Sequence, residues 1–223
     1  MADRISTGCG SIDSLLGGGL SPGTITQFYG PPASGKTNIS LSTAVTTATD
    51  EATVVYVDTE GFSPDRLNQI LPDTDTEAVT ERIIVKEAFD FADQQEAIRE
   101  VDELSANASL IILDSATGFY RIERTDNNSE ALKTITRQLT VLLSLARRHD
   151  LTVLVTNQVY TDPEGDQVRP LGGHTFAHWT GVIVRLDRFR GGNRRATLEK
   201  HQSEPAGETA RFKITSGGLA SVD

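Results

Sequence analysis

The run Gly30-Pro31-Pro32-Ala33-Ser34-Gly35-Lys36-Thr37 constrains this chain more than any other stretch of it. An alternating segment, Thr24 to Tyr29, stands before it, and a helical-looking segment, Asn38 to Ala44, comes after. Strand, glycine-bounded loop and helix, with G-x-x-x-x-G-K-[ST] in the loop, is the pattern that curls backbone N–H groups around a phosphate. Gly30 and Gly35 supply the backbone freedom for the curl, which ends on the positive pole of a helix. Lys36 offers a mobile charge to the outer phosphates, and the Thr37 hydroxyl is a ligand for Mg²⁺. The stretch is therefore a candidate nucleotide site, and its flanks predict an α/β domain.

The rest of the chain repeats that alternation. Thr53 to Asp58 reads as a buried strand of β-branched residues, leading into Thr59-Glu60-Gly61-Phe62. Ser63 and Pro64 begin a helix as cap and first-turn proline, and Pro72 stops it. Ile83 to Val85 is a further strand, and Asp93 with Glu96 predicts a capping box heading a helix through Ile98, Val101 and Leu104. Ser109 to Asp114 is continuously apolar until its terminal aspartate. A polar loop from Arg121 to Ser129 precedes the longest helix, about Glu130 to His149, whose inner face carries Leu132, Ile135, Leu139, Leu142 and Leu143. Leu151 to Val155 is a strand ending in Thr156-Asn157-Gln158, and Thr161 to Gly173 is a polar loop.

After that loop the character changes. Val182 to Leu186, a Gly191-Gly192-Asn193 turn into Arg195 to Leu198, Arg211 to Ile214 and Leu219 to Val222 read as strands with hairpin spacing. The expectation is one domain over 1–223, its mostly parallel central sheet flanked by helices and continued by a C-terminal antiparallel β extension.

Composition narrows the setting. The single cysteine, Cys9, excludes an intramolecular disulfide and suits a reducing compartment. No apolar run reaches the length of a membrane span, and the first residues do not open a signal peptide, so a cytoplasmic protein is expected. The net charge is −10, and Lys36, Lys86, Lys133, Lys200 and Lys213 are the only lysines. An acidic, lysine-poor, threonine-rich surface suits a protein kept soluble in a very salty cytoplasm.

Ligands of open α/β sheets lie beyond the carboxyl ends of the strands, and three polar residues sit there. Asp114 is the natural partner of Mg²⁺ together with Thr37. Glu60 can polarise a water for attack on a γ-phosphate, and Gln158 can hydrogen-bond that phosphate. No Asn-Lys-x-Asp guanine-reading motif is present, which argues against a small GTPase.

Ile5-Ser6-Thr7-Gly8, Leu15 to Gly19, the phosphate loop, Asp58 to Phe62, Leu110 to Ala116, Thr156 to Val159 and Leu171-Gly172-Gly173 together resemble the RecA/RadA recombinase core, in that family's order. The resemblance implies a RecA-like P-loop ATPase core that takes ATP and Mg²⁺. Glu60 is then the catalytic carboxylate, Asp114 the magnesium-associated aspartate, Gln158 the γ-phosphate sensor and Arg66 an arginine against the adenine. It places His178 and Pro205 near a neighbour's nucleotide, should the chain form homo-oligomers.

The departures from that family carry the functional expectation. The chain starts too late for an N-terminal helix-hairpin-helix domain, and the loop after Gln158 is short and polar, without the wedge that unstacks bases in strand exchange. Phe89-Asp90-Phe91-Ala92 matches the family's polymerisation motif literally, but at a strand-to-helix junction it reads as ordinary packing. The chain is most similar to core-only archaeal paralogues of RadA, and Lys200-His201 resembles both these and KaiC-like proteins. The resemblance therefore implies a DNA repair accessory protein that modulates a RadA-type recombinase, binds single- or double-stranded DNA weakly and hydrolyses ATP weakly. The alternatives are a DNA-dependent ATPase that itself exchanges strands and a KaiC-like regulatory ATPase. DNA contacts are expected from Arg121 and Arg124 in the first polar loop. Arg185, Arg188, Arg190, Arg194 and Arg195 around the hairpin are further candidates, since an acidic chain must attract phosphate locally.

Overall fold

The computed structural model describes residues 3–119, 128–161 and 168–222. Helix α1 (Gly10–Leu15) precedes β1 (Ile25–Tyr29), and the phosphate loop joins β1 to α2 (Lys36–Thr49). Then come β2 (Val54–Asp58), α3 (Pro64–Ile70), α4 (Thr76–Glu81), β3 (Ile83–Glu87), α5 (Phe91–Leu104), β4 (Leu110–Asp114) and α6 (Asn128–His149). The chain continues through β5 (Thr152–Asn157), the small pair β6 (Val159–Thr161) and β7 (Val168–Pro170), and α7 (Gly173–Trp179). It closes with β8 (Val182–Arg188), β9 (Asn193–Lys200), β10 (Thr209–Thr215) and β11 (Gly218–Val222).

Among the described residues one nine-stranded sheet runs in the order β11-β10-β9-β8-β1-β5-β4-β2-β3. From β8 to β3 every pairing is parallel, and from β8 to β11 every pairing is antiparallel. This is the expected RecA-like architecture, a mostly parallel sheet with an antiparallel extension.

The central strands β1, β2, β4 and β5 are buried along their whole length because helices cover both faces. Alternation along β4 sends Leu110 and Ile112 to one layer and Ile111 and Leu113 to the other. The first layer includes Phe28, Tyr56, Ile39 and Leu41, the last two on α2. The second holds Val55, Val153 and Val155 against Ile98 and Val101 of α5 and Ile135, Leu139 and Leu142 of α6. Each buried Leu, Ile or Val is worth about 1.5–3 kcal/mol against exposure, so the two layers fix the sheet that carries the loop.

Three local expectations change. The cap of α5 is Asp90, whose carboxylate accepts from the Asp93 N–H at 2.8 Å, while Asp93 accepts from the Phe89 N–H at 3.1 Å. The reciprocal cap therefore lies one turn earlier than Asp93 and Glu96, since Phe91 is 8% exposed and begins the buried stripe. In the same segment Phe89 is 78% exposed, so only Phe91 packs as core. The sequence also gives no sign of α4, α7 or the β6–β7 pair. In α4 only Val79 is buried, too little for an apolar period, and β6–β7 is a short ladder of three residue pairs.

Candidate nucleotide-binding site

The parallel register brings the carboxyl ends of β1, β2, β4 and β5 together around the phosphate loop. Asp58 pairs across from Asp114, and Tyr29 from Asn157. Residue 30 must be glycine for contact reasons, because a Cβ there would stand 2.4 Å from the Leu186 carbonyl oxygen of β8. Gly35 has φ +109 and precedes α2, where side chains are strained, and Phe212, Ile214 and Arg194 of the extension close over it. The antiparallel strands thus form the outer wall of the loop.

Within the loop, Lys36 is 9% exposed and folds back, its Nζ donating to the Gly30 carbonyl at 3.0 Å and the Pro31 carbonyl at 3.3 Å. Burial lowers its pKa, while the nearby charges of Glu60 and Asp114 pull it back up. The Ser34 Oγ is buried without a hydrogen-bond partner. A mobile ammonium resting on loop carbonyls, an orphaned hydroxyl and two glycines that admit no side chain fit a polyphosphate.

Asp114 is 1% exposed and is held by two hydroxyls, Tyr56 donating to Oδ2 at 2.7 Å and Thr156 to Oδ1, with the Thr37 hydroxyl close by. Burial raises its pKa, and these three hydroxyls oppose the rise. A carboxylate behind the Thr37 hydroxyl is the chemistry a hard cation such as Mg²⁺ needs on a phosphate loop. Among the described residues no group of three or more His, Cys, Asp or Glu forms a separate metal cage. Asp58, also raised by burial, accepts from the Gly61 N–H at 2.9 Å and so shapes the turn that presents Glu60.

Glu60 and Gln158 meet. The Gln158 Nε2 donates to Glu60 Oε1 at 2.6 Å, and the Ser115 hydroxyl donates to the same oxygen at 2.7 Å. The Gln158 backbone N–H donates to Thr117 Oγ1 at 3.1 Å, and Thr117 donates to Asn157 Oδ1 at 2.9 Å. The tips of β2, β4 and β5 are therefore joined by one polar network, and β6 leaves directly from it.

Arg66 makes four hydrogen bonds. Its Nε donates to Asn38 of α2 at 2.8 Å, and its other nitrogens donate to Gln69 and to the Thr215 and Ser216 carbonyls at 2.9 Å each. It ties α3 to the β10–β11 turn beside the loop. The hairpin arginines divide. Arg185 lies 3.4 Å from both Asp187 and Glu199, and Arg195 lies 3.1 Å from Asp187, so these two are neutralised within the chain. Arg194 reaches the phosphate loop itself, donating to the Ala33 carbonyl at 3.4 Å. Arg188 is exposed at the end of β8, and Arg190 lies in the turn after it. Arg121 and Arg124 fall outside the described residues.

Lys200 caps α7, donating to the Ala177 and Thr180 carbonyls at 2.6 and 2.7 Å. His201 Nδ1 accepts from the backbone N–H groups of Ser203 and Glu204. His178 is exposed on α7, and Pro205 lines a groove beside α1. Sequence reasoning missed Tyr56, Ser115 and Thr156. Ser115 was findable from its position next to Asp114, whereas Tyr56 and Thr156 look like ordinary strand residues until the register sets them around one carboxylate.

The Rad51 family profile matches residues 2–222. A relative from Halobacterium salinarum, a "DNA repair and recombination protein RadB", is 56% identical over 228 residues, covering 99% of this chain and 97% of its own. One of the same description from Methanoculleus marisnigri is 42% identical, with 99% of both chains covered. A solved structure described as the RadB recombinase superposes with a TM-score of 0.86 at 40% identity, covering 99% of this chain and 100% of that one.

Proposed function

The chain belongs to the Rad51 family, and from that premise we propose that it is an ATP-binding accessory protein of homologous recombination. In this reading a single RecA-like core domain binds Mg·ATP, hydrolyses it weakly, contacts DNA weakly and modulates a RadA-type recombinase. The acidic composition fits the Halobacterium relative and a salt-adapted cytoplasm, in which phosphate contacts lose much of their counterion-release drive.

One observation carries the proposal: the hydrogen bond from Gln158 to Glu60 ties the β5 tip, and with it β6, to the strand end beside the phosphate loop. Gly30 through Thr37 hold the phosphates, Thr37 and Asp114 serve the magnesium, and Mg²⁺ supplies charge neutralisation of the phosphates when bound. Arg66 has four of its five N–H donors committed, so a base meets the flat face of its guanidinium rather than its edge. A γ-phosphate competes with Glu60 for the Gln158 amide. Glu60, released from Gln158 and still held by Ser115, is then the base for water. Nucleotide state thereby reaches the β6–β7 segment, as a switch requires.

The test is capture of purified RadA-type recombinase by the immobilised chain with and without Mg·ATP. Nucleotide-dependent retention, lost in Lys36→Ala, is the expected result. Equal retention in every condition overturns the switch, and robust strand exchange by this protein alone overturns the accessory role.

A further inference from the structure

The apolar stripes that pack α5 and α6 under the sheet are each interrupted by a glutamine. On α5 the buried stripe runs Phe91, Gln94, Ile98 and Val101. On α6 it runs Ile135, Gln138, Leu139 and Leu142. Gln94 is fully buried and Gln138 is 4% exposed, so two amides lie where helical period calls for leucine or isoleucine. They meet, with Gln94 Nε2 donating to Gln138 Oε1 at 2.8 Å. Among the described residues Gln94 Oε1 and Gln138 Nε2 have no hydrogen-bond partner. Burying unpaired amide groups costs stability, so two apolar side chains would serve this core better.

The same Gln94 nitrogen makes a second contact, donating to the Ala116 carbonyl at 3.3 Å. Ala116 stands between the two residues that hold Glu60 and Gln158. Ser115 donates to Glu60 Oε1 at 2.7 Å, and Thr117 Oγ1 accepts from the Gln158 backbone N–H at 3.1 Å. All three residues, Ser115 to Thr117, are fully buried. A carbonyl can only accept, so Gln94 must turn its NH₂ group to Ala116, and Gln138 must then turn its oxygen to Gln94. A pin that only set the register of α5 against α6 would need the amide–amide bond alone. The contact to Ala116 gives the buried pair a second task.

We propose that Gln94 is a positioning residue for Glu60 and Gln158, acting through the Ala116 carbonyl, and that Gln138 fixes the Gln94 amide for that task. Reacting groups keep their geometry only where a supporting shell locks it, and a misplacement of about 1 Å costs a rate up to about a hundredfold. Gln94 is one support among several. The Ala116 N–H also donates to the Thr156 carbonyl at 3.0 Å, and the Ser115 N–H to Thr59 Oγ1 at 2.8 Å. Its loss therefore loosens residues 115–117 without releasing them. Gln138 connects α6 to the same point, so the packing of α6 on α5 bears on the contact between Glu60 and Gln158. This role rests on that contact, as the proposed function does, and adds the support that reaches it from the two helices.

The experiment is NMR of the isotope-labelled full chain, with phosphate release from Mg·ATP and calorimetric ATP titration beside it. Gln94→Met keeps the side-chain length and removes the amide, and Ile98→Val, in the same buried layer, is the packing control. The Gln158 side-chain amide signal is identified by its loss in Gln158→Met. Gln94→Met is expected to move the Ala116 carbonyl signal and the Gln158 amide signal, and to slow phosphate release about tenfold with ATP affinity unchanged. Ile98→Val is expected to leave the Gln158 signal and the rate near wild type. Gln94→Met combined with Gln138→Leu is expected to repeat these changes but melt higher than Gln94→Met alone, because no amide is then left unpaired. If Gln94→Met moves the Ala116 signal but neither the Gln158 signal nor the rate, the pair is a register pin and the positioning role falls. If Ile98→Val matches Gln94→Met in both, the effect is general packing and the role falls again. If Glu60→Ala leaves the Gln158 signal unmoved, the contact behind the proposed function is absent and this role falls with it. If wild type releases no phosphate, the hydrolysis limb of the proposed function falls, and the Gln158 signal alone decides the role of Gln94.

Discussion

Replacing Tyr56 by phenylalanine isolates what the buried network around Asp114 contributes. The ring is fully buried and meets Phe62 edge-on at 5.5 Å, and that packing survives the change. Only the hydroxyl is lost, and with it a 2.7 Å hydrogen bond to a carboxylate that is 1% exposed. A hydrogen bond to a buried charged group is worth about 1.5–3 kcal/mol, more than an ordinary one, because the deserted oxygen finds no water. In a chain of this size that lowers the Tm by roughly 3–12 °C. The pH dependence is diagnostic. Burial raises the folded Asp114 pKa above its ordinary value of 3.8, so between those values the native state holds the proton and stability falls as pH rises through the window. Losing the Tyr56 donor raises the folded value further. The gap between wild type and Tyr56→Phe is therefore full above the raised values and narrows as pH falls through them toward 3.8. Circular dichroism melts of both proteins, at neutral pH and near pH 4 in one salt, measure it. A gap of the same size at both would refute the charged-acceptor argument and leave only packing.

Lys36→Ala removes the ammonium from the phosphate loop and is expected to weaken ATP binding by an order of magnitude or more in calorimetric titration. Glu60→Gln should bind ATP like wild type and release no phosphate; wild-type phosphate release by this variant would show that another group activates water. Gly30→Ala places a Cβ 2.4 Å from a backbone oxygen that cannot move without displacing β8. Its cost is about 3 kcal/mol or more, read as a lower denaturation midpoint, and an unchanged midpoint would mean that β8 yields freely. Arg66→Ala releases the β10–β11 turn from α3 and should speed amide exchange in residues 215–218 while weakening ATP binding; unchanged exchange would separate the base contact from the anchoring role.

Much of the site was legible in the sequence because its signals are local. The phosphate loop depends on where glycine, lysine and threonine fall within a few residues. Asp114 and Glu60 were visible as polar residues ending or just after apolar strands. The α5 cap was misplaced by one turn because two acidic residues, Asp90 and Asp93, each fit the start of a helix. Burial of Phe91 decides between them, and burial is not a local property. Phe89 was misread for the same reason, since exposed and buried phenylalanines are identical as letters.

What the sequence determined by itself is the class: a helix-flanked, mostly parallel sheet carrying a phosphate loop, because period, glycine placement and β-branched runs act over short spans. What only the tertiary structure decided is which distant residues share a neighbourhood. Sheet order brings β5 beside β1 and β4, and so puts Gln158 against Glu60 and Thr156 against Asp114. It folds the extension back over Gly35, bringing Arg194 to the phosphate loop. It also divides the hairpin arginines into those with acidic partners and those without. Those outcomes rest on strand register, in which a shift of one residue turns every side chain to the opposite face.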